Sequence, residues 1–315
     1  MRSRARHARD DSGSSSTVSR LLKWIGAGAA LISLILGARQ LIGIATDRSE
    51  RSRASAEFTA LARQQAGRGE FVEAWQSLDR ADERSRTPES DAARLDIAFR
   101  WLEDGRPGAG QAFTRITNAV EPALDRALLD PQHPRRADIL AHLGWATFLK
   151  SRETGSGDPA ALYKQALAVD AHNAYANAMM AHWLLWQGEP LTVARPYFDA
   201  AIASGQQRQF VRTLQLAALR NRNDEATDAE LIRVADSMRR QNESLDDRSA
   251  RAAYVVYRQR YGPNAAPANP AEVGIPPADQ LATFQWLTRM PGVSERADTD
   301  QAISAALTRL IQKQG

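Results

Sequence analysis

The side chains with the most chemical potential are five histidines, His7, His133, His142, His172 and His182, in a chain with no cysteine. No histidines stand in HxxH or HExxH spacing, so no helix face offers a ready zinc site. Without cysteine, disulfides, thiolate metal ligands and thiol nucleophiles are excluded. Gly155-Ser156-Gly157 begins like a nucleophile elbow but lacks its second half, and no Gly-Lys-Ser/Thr follows to make a phosphate loop. It reads as a flexible turn. The Asp and Glu residues are scattered in the manner of solvated helix surfaces. The expectation is a chain that is not an enzyme, with no catalytic residue, no metal and no cofactor.

Aromatic side chains suggest recognition instead. Trp145, Trp183 and Trp186 cluster, with Phe148 three residues after Trp145. Trp offers a large contact area with a polar handle and is favoured at binding surfaces, although each of these residues also reads as core. His142 and His182 likewise read as packing histidines.

The elements that carry these residues are helical. Ala and Arg are abundant, and apolar residues past position 47 recur at three- and four-residue spacing with no sustained alternation. The pI of 9.6 suggests nucleic acid, but the charge map does not. Seven Lys/Arg against two Asp leave +5 in residues 1–46; with +4 overall, the remainder of the chain sums to −1. A nearly neutral body lacks the cationic field that phosphate binding needs.

Residues 1–19 are Arg-, Ser- and Asp-rich and read as a disordered basic tail. Between Lys23 and Asp47 lie 23 residues whose one charge is Arg39, long enough for a membrane core that needs about 20. Residues 20–46 are therefore the expected transmembrane helix, with Trp24 placed as an interfacial aromatic and Arg39 near enough to the far end to snorkel. Gly43 and Ala45 before Thr46 also fit a signal-peptide cleavage site, against which stand the long basic n-region and Arg39. Six Lys/Arg precede the span and four follow within about 20 residues. This bias puts the N-terminus inside and the body outside the cytoplasm. Gly26/Ala30 and Ser33/Gly37 are small-xxx-small pairs that would let two such helices pack as a homo-oligomer.

A more specific pattern runs through Leu61-Ala62, Gly69-Glu70-Phe71, Ala74, Leu78 and Ala81. It returns at Leu143-Gly144, Tyr163, Ala166 and Leu167, here with an insertion from Ser151 to Pro159. It appears again at Tyr175, Met180, Ala181, Leu184, Gly188, Ala194, Phe198 and Ala201. Tyr163 and Phe198 stand about 35 residues apart, against a repeat period of about 34. Ala98, Trp101, Leu102, Gly105 and Phe113 fit more loosely. The pattern resembles the tetratricopeptide repeat (TPR) superfamily, in particular membrane-anchored bacterial TPR proteins. The resemblance covers roughly a third of the chain. It implies an all-α fold, a TPR-like right-handed solenoid of helical hairpins behind one N-terminal transmembrane helix.

The expected organisation is the tail at 1–19, the signal anchor at 20–46 and a helical-repeat domain at 47–261. A Pro-rich linker at 262–277 and capping helices at 278–315 complete it. Beyond the clear repeats, helices are predicted at Gln209–Arg220, Asp228–Gln241, Asp247–Tyr261, 278–290 and 299–313. By the same resemblance, the first helices of the hairpins line a concave groove that binds a partner protein. His142, Trp145, Asn177 and Trp183 are the expected partner-binding residues, and no nucleic acid or small-molecule substrate is expected. The implied setting is the bacterial inner membrane, with the body periplasmic. The implied role is scaffolding in a cell-envelope assembly of the secretion or polysaccharide-export class. Two alternatives stay open: an envelope enzyme or enzyme accessory domain acting on glycan or lipid, and the same scaffold facing the cytoplasm.

Overall fold

The computed structural model describes residues 48–105, 113–222, 224–245, 247–261, 273–290 and 293, with five helical positions between 305 and 312. The expected tail at 1–19 and membrane helix at 20–46 lie outside the described residues, as do 262–272 of the Pro-rich stretch and most of the last predicted helix. Among the described residues all regular structure is helical, and no helix is long and apolar enough to cross a membrane. The chain divides into two compact units, one within Met1–Ile97 and the other within Ala98–Gly315.

The first unit contains α1 (residues 48–67), α2 (Phe71–Arg84) and the start of α3 (Pro88–Asp104). Helix α1 ends because Gly69 takes the left-handed conformation, φ +79°. Its N–H then reaches Ala66 O at 3.1 Å and the Glu70 N–H reaches Gln65 O at 3.0 Å, satisfying carbonyls the helix end would leave bare. Phe71, Ala74, Leu78 and Ala81 form one buried stripe on α2, opposite Ala62 and Ala66 of α1. Ser77 Oγ donates to Gln65 Oε1 at 2.7 Å. Helix α3 starts at Thr87, whose Oγ1 accepts from the Ser90 N–H at 3.1 Å, with Pro88 at the first helical position. The buried Arg94 guanidinium is held by Asp79 and Asp82 at 3.0 Å each and lies 4.8 Å from the Trp75 ring centroid, since a buried charge must be paired.

The second unit holds the end of α3, then α4 (Phe113–Leu128), α5 (Arg136–Thr154), α6 (Ala160–Val169) and α7 (Ala174–Trp186). It continues with α8 (Leu191–Ala203), α9 (Arg208–Arg222), α10 (Glu225–Arg240), α11 (Asp247–Tyr261) and α12 (Pro277–Thr288). Helix α5 packs on α7, α7 on α9, and α9 on α11. The even helices α6, α8 and α10 each fill the angle between the odd helix before and the odd helix after. Helix α12 packs on α10 and α11. This explains two kinds of helix sequence. Helix α4 buries one stripe, Phe113, Ile116, Thr117, Val120 and Leu124, whereas α5 and α7, covered on several sides, are buried almost all round over 139–146 and 174–182.

Small residues set the spacing. A Cβ placed on Gly144 of α5 would stand 2.5 Å from Tyr163 Cε1 on α6. Tyr163, Phe198, Ala181 and Ala194 are each at most 1% exposed. Gly188, φ +90°, ends α7 as Gly69 ends α1: its N–H bonds to Leu185 O and the Glu189 N–H to Leu184 O. One boundary needs correction. The insertion expected from Ser151 begins inside α5, which continues to Thr154 and stops at Gly155, φ +70°, the first residue able to adopt that conformation without strain. Val273 and Ile275, in the described end of the expected Pro-rich linker, are buried with the residues of α7–α12 in one core.

Two substitutions test the spacing. Gly144→Ala should overpack the α5–α6 contact and cost about 1–3 kcal/mol. Gly67→Ala, with nothing within 4 Å of the added methyl, should stabilise by up to about 1 kcal/mol. Denaturant melts of both variants check this; equal effects would contradict it.

Candidate recognition groove

The odd helices of the second unit are joined by aromatic rings. Phe99 on α3 stacks on His142 of α5, centroids 3.8 Å apart at 9°. His142 meets Tyr175 of α7 edge-on at 4.5 Å, and Tyr175 meets Phe210 of α9 at 5.3 Å. One to two turns further along α5 and two along α7, Trp145 and Phe148 contact His182 at 5.2 and 5.0 Å. Phe148, 1% exposed, also touches Trp183 and Trp186. Edge-to-face geometry of this kind adds attraction beyond area burial.

Polar bonds fix the rings. His142 Nδ1 lies 2.7 Å from Asp138 O and Nε2 lies 3.1 Å from Glu103 Oε1. Burial and the neighbouring Glu103 hold the Tyr175 phenol well above its ordinary range. Trp145 Nε1 donates to Leu102 O at 3.0 Å. Asn177 Nδ2 donates to Ala171 O and Asn173 O, and Asn173 both caps α7 through the Ala176 N–H and donates to Asp138 Oδ1.

The four residues expected to meet a partner are thus placed unequally. His142, Trp145 and Asn177 are 0%, 7% and 3% exposed, with their polar atoms bonded inside the unit. They position the face and do not offer contact area. Trp183 is half-buried and Trp186, 46% exposed, is the ring that solvent reaches.

Trp186 stands at a groove in the second unit. One cavity, of about 280 Å³, lies against Trp145, Phe148, Arg152, Phe210 and Arg220; a neighbouring one, of about 360 Å³, lies against Leu185, Trp186 and Arg222. His182 and Asn221 line both. His182 is 5% exposed and its Nδ1 has no hydrogen-bond partner. Burial and the nearby positive charge of Arg152 push its pKa down to about 3, so the imidazole is neutral at physiological pH. The Arg152 guanidinium lies over the Phe113 ring at 5.4 Å and the Trp186 ring at 5.3 Å. Next to it, Glu153 accepts from the Phe113 and Thr114 N–H groups and so caps α4; these backbone donors, Thr114 first, lower its pKa. Among the described residues no three His, Asp or Glu side chains converge on a metal position.

Arg152, Arg220 and Asn221 were not singled out by their types. Their signal is positional: together with Trp186 they occupy the last turns of successive odd helices. No protein-family model matches the chain, and no curated protein or solved structure is significantly similar to it.

The placement separates two tryptophans. Trp145→Ala empties a buried, hydrogen-bonded site and should cost about 3–5 kcal/mol. Trp186→Ala should cost about 1 kcal/mol or less. Urea denaturation of both variants checks this, and equal losses would overturn the assignment.

Proposed function

We propose that this protein is a membrane-anchored scaffold of the TPR type that docks a partner protein on the face made by α5, α7 and α9. The alternation of helices in the second unit supports a stack of hairpins: odd helices side by side, even helices behind them, with glycine or alanine where hairpin partners approach. In such a stack the odd helices form the inner wall. Residues 20–46 would hold the chain in the bacterial inner membrane with the body in the periplasm, and envelope secretion or polysaccharide export is the setting that analogy suggests. The observation that carries the reading is an exposed indole, Trp186, on a wall whose other rings are fixed. A rigid wall loses little conformational entropy on binding.

The groove's carboxylates favour docking over glycan or lipid chemistry. Glu103 is bonded to His142, Asp224 to Arg222 and the Thr227 N–H, and Asp104 has a partner of its own. Among the described residues of the groove, no free carboxylate pair stands ready for acid–base work.

Site-specific photocrosslinking in living cells tests the proposal. A benzoylphenylalanine at position 186 should give a discrete protein adduct, recovered in the membrane fraction on a chain that retains residues 1–46. The same group at Leu129, 80% exposed outside the groove, should give none. Adducts from 129 and not from 186 would place docking elsewhere.

A further inference from the structure

The groove contains an electrostatic imbalance that docking does not explain. Its acids are engaged, as described, and Arg222 bonds to Asp224 and to Leu185 O. Arg152 and Arg220 differ. Both are exposed at the groove, and neither meets a carboxylate or carbonyl among the described residues. Arginine in the last turn of a helix is ordinarily explained by the helix dipole or by capping the final carbonyls. Here Arg152 is held by ring faces, 5.4 Å from Phe113 and 5.3 Å from Trp186, which leaves the guanidinium edge and its N–H donors free. His182 adds a buried imidazole with an unpartnered Nδ1 on the shared wall of the two cavities, and a buried polar atom without a partner is costly unless a ligand group supplies one. The remaining wall is mixed: Phe148, Phe210, Leu214 and Ala217 supply apolar surface, and Thr213 and Ser249 carry hydroxyls. Each cavity has the volume of a small organic molecule, well below what a folded segment would fill.

We propose that this groove is a binding site for a small free acid, one carboxylate on an apolar body, with Arg152 and Arg220 receiving the carboxylate, His182 and Asn221 hydrogen-bonding beside it, and the Phe148–Phe210 wall covering the apolar part. One negative charge suits the site, because Glu103, Asp104 and Asp224 nearby repel more. An apolar body suits the site, because Phe148, Phe210, Leu214 and Ala217 line it beside the two cations. The proposal is independent of the docking reading, since occupancy is measured with no partner protein present.

The test is calorimetric titration of the full-length, detergent-solubilised protein with 3-phenylpropionate. Comparison probes are 3-phenylpropanamide, inorganic phosphate and an end-blocked Phe-Glu dipeptide. Binding of 3-phenylpropionate with Kd below about 1 mM is expected, with the amide at least about tenfold weaker, because the charge-assisted bonds to arginine are lost. Arg220→Ala, whose side chain has no partner among the described residues, should weaken the acid by about tenfold or more and leave the thermal midpoint unchanged. Arg115→Ala, exposed on α4, should leave both unchanged. Equal binding of acid and amide, binding of phosphate as tight as the acid, or no loss in Arg220→Ala would each overturn the proposal. Tighter binding of the blocked dipeptide than of the free acid would also overturn it and return the groove to polypeptide docking.

Discussion

Phe99, His142, Tyr175 and Phe210 each come from a different odd helix and touch in sequence, and the face that bears the groove depends on that ladder. Ring contacts fix distance but leave rotation open. The hydrogen bonds of His142 to Asp138 O and Glu103, and of Trp145 to Leu102 O, remove that freedom by tying α5 to α3 at two points one turn apart. Asn173 carries the tie onward by bonding Asp138 on α5 while capping α7. With these rings inside, the last turns of α5, α7 and α9 present Arg152, Trp186 and Arg220 at one groove.

Glycine explains why the ladder can close. Gly144 lets Tyr163 lie directly on α5, so α6 sits close to α5 while it also reaches α7. Gly69 and Gly188 end α1 and α7 with the same pair of bonds, which recur at Asn242, φ +52°, after α10.

Much of the helical content was legible because apolar spacing is local. Helices α9, α10 and α11 were predicted within a few residues, and Gly69, Ala74, Leu78 and Ala81 stand where the pattern put them: a left-handed turn and a buried stripe. The end of α5 was misplaced because Ser151–Thr154 have no breaker among them, and only Gly155 stops the helix. The groove was legible in its helices and not in its side chains. His142, Trp145 and Asn177 lie on the odd helices as expected, but whether a side chain on such a helix turns inward is decided by the neighbouring helix. For His142 that neighbour is Glu103, 39 residues earlier in the chain. Trp183 and Trp186, one turn apart on α7, divide into half-buried and exposed for the same reason.

The rigid odd-helix face, built on buried rings and bonds, is the docking surface proposed above. Hydrogen–deuterium exchange on the full-length protein, alone and bound to the protein crosslinked through position 186, tests this most directly. Added protection is expected in the bound state at the C-terminal turns of α5, α7 and α9, with α6, α8 and α10 unchanged. Protection confined to α6, α8 and α10, with the ends of the odd helices unaffected, would contradict it.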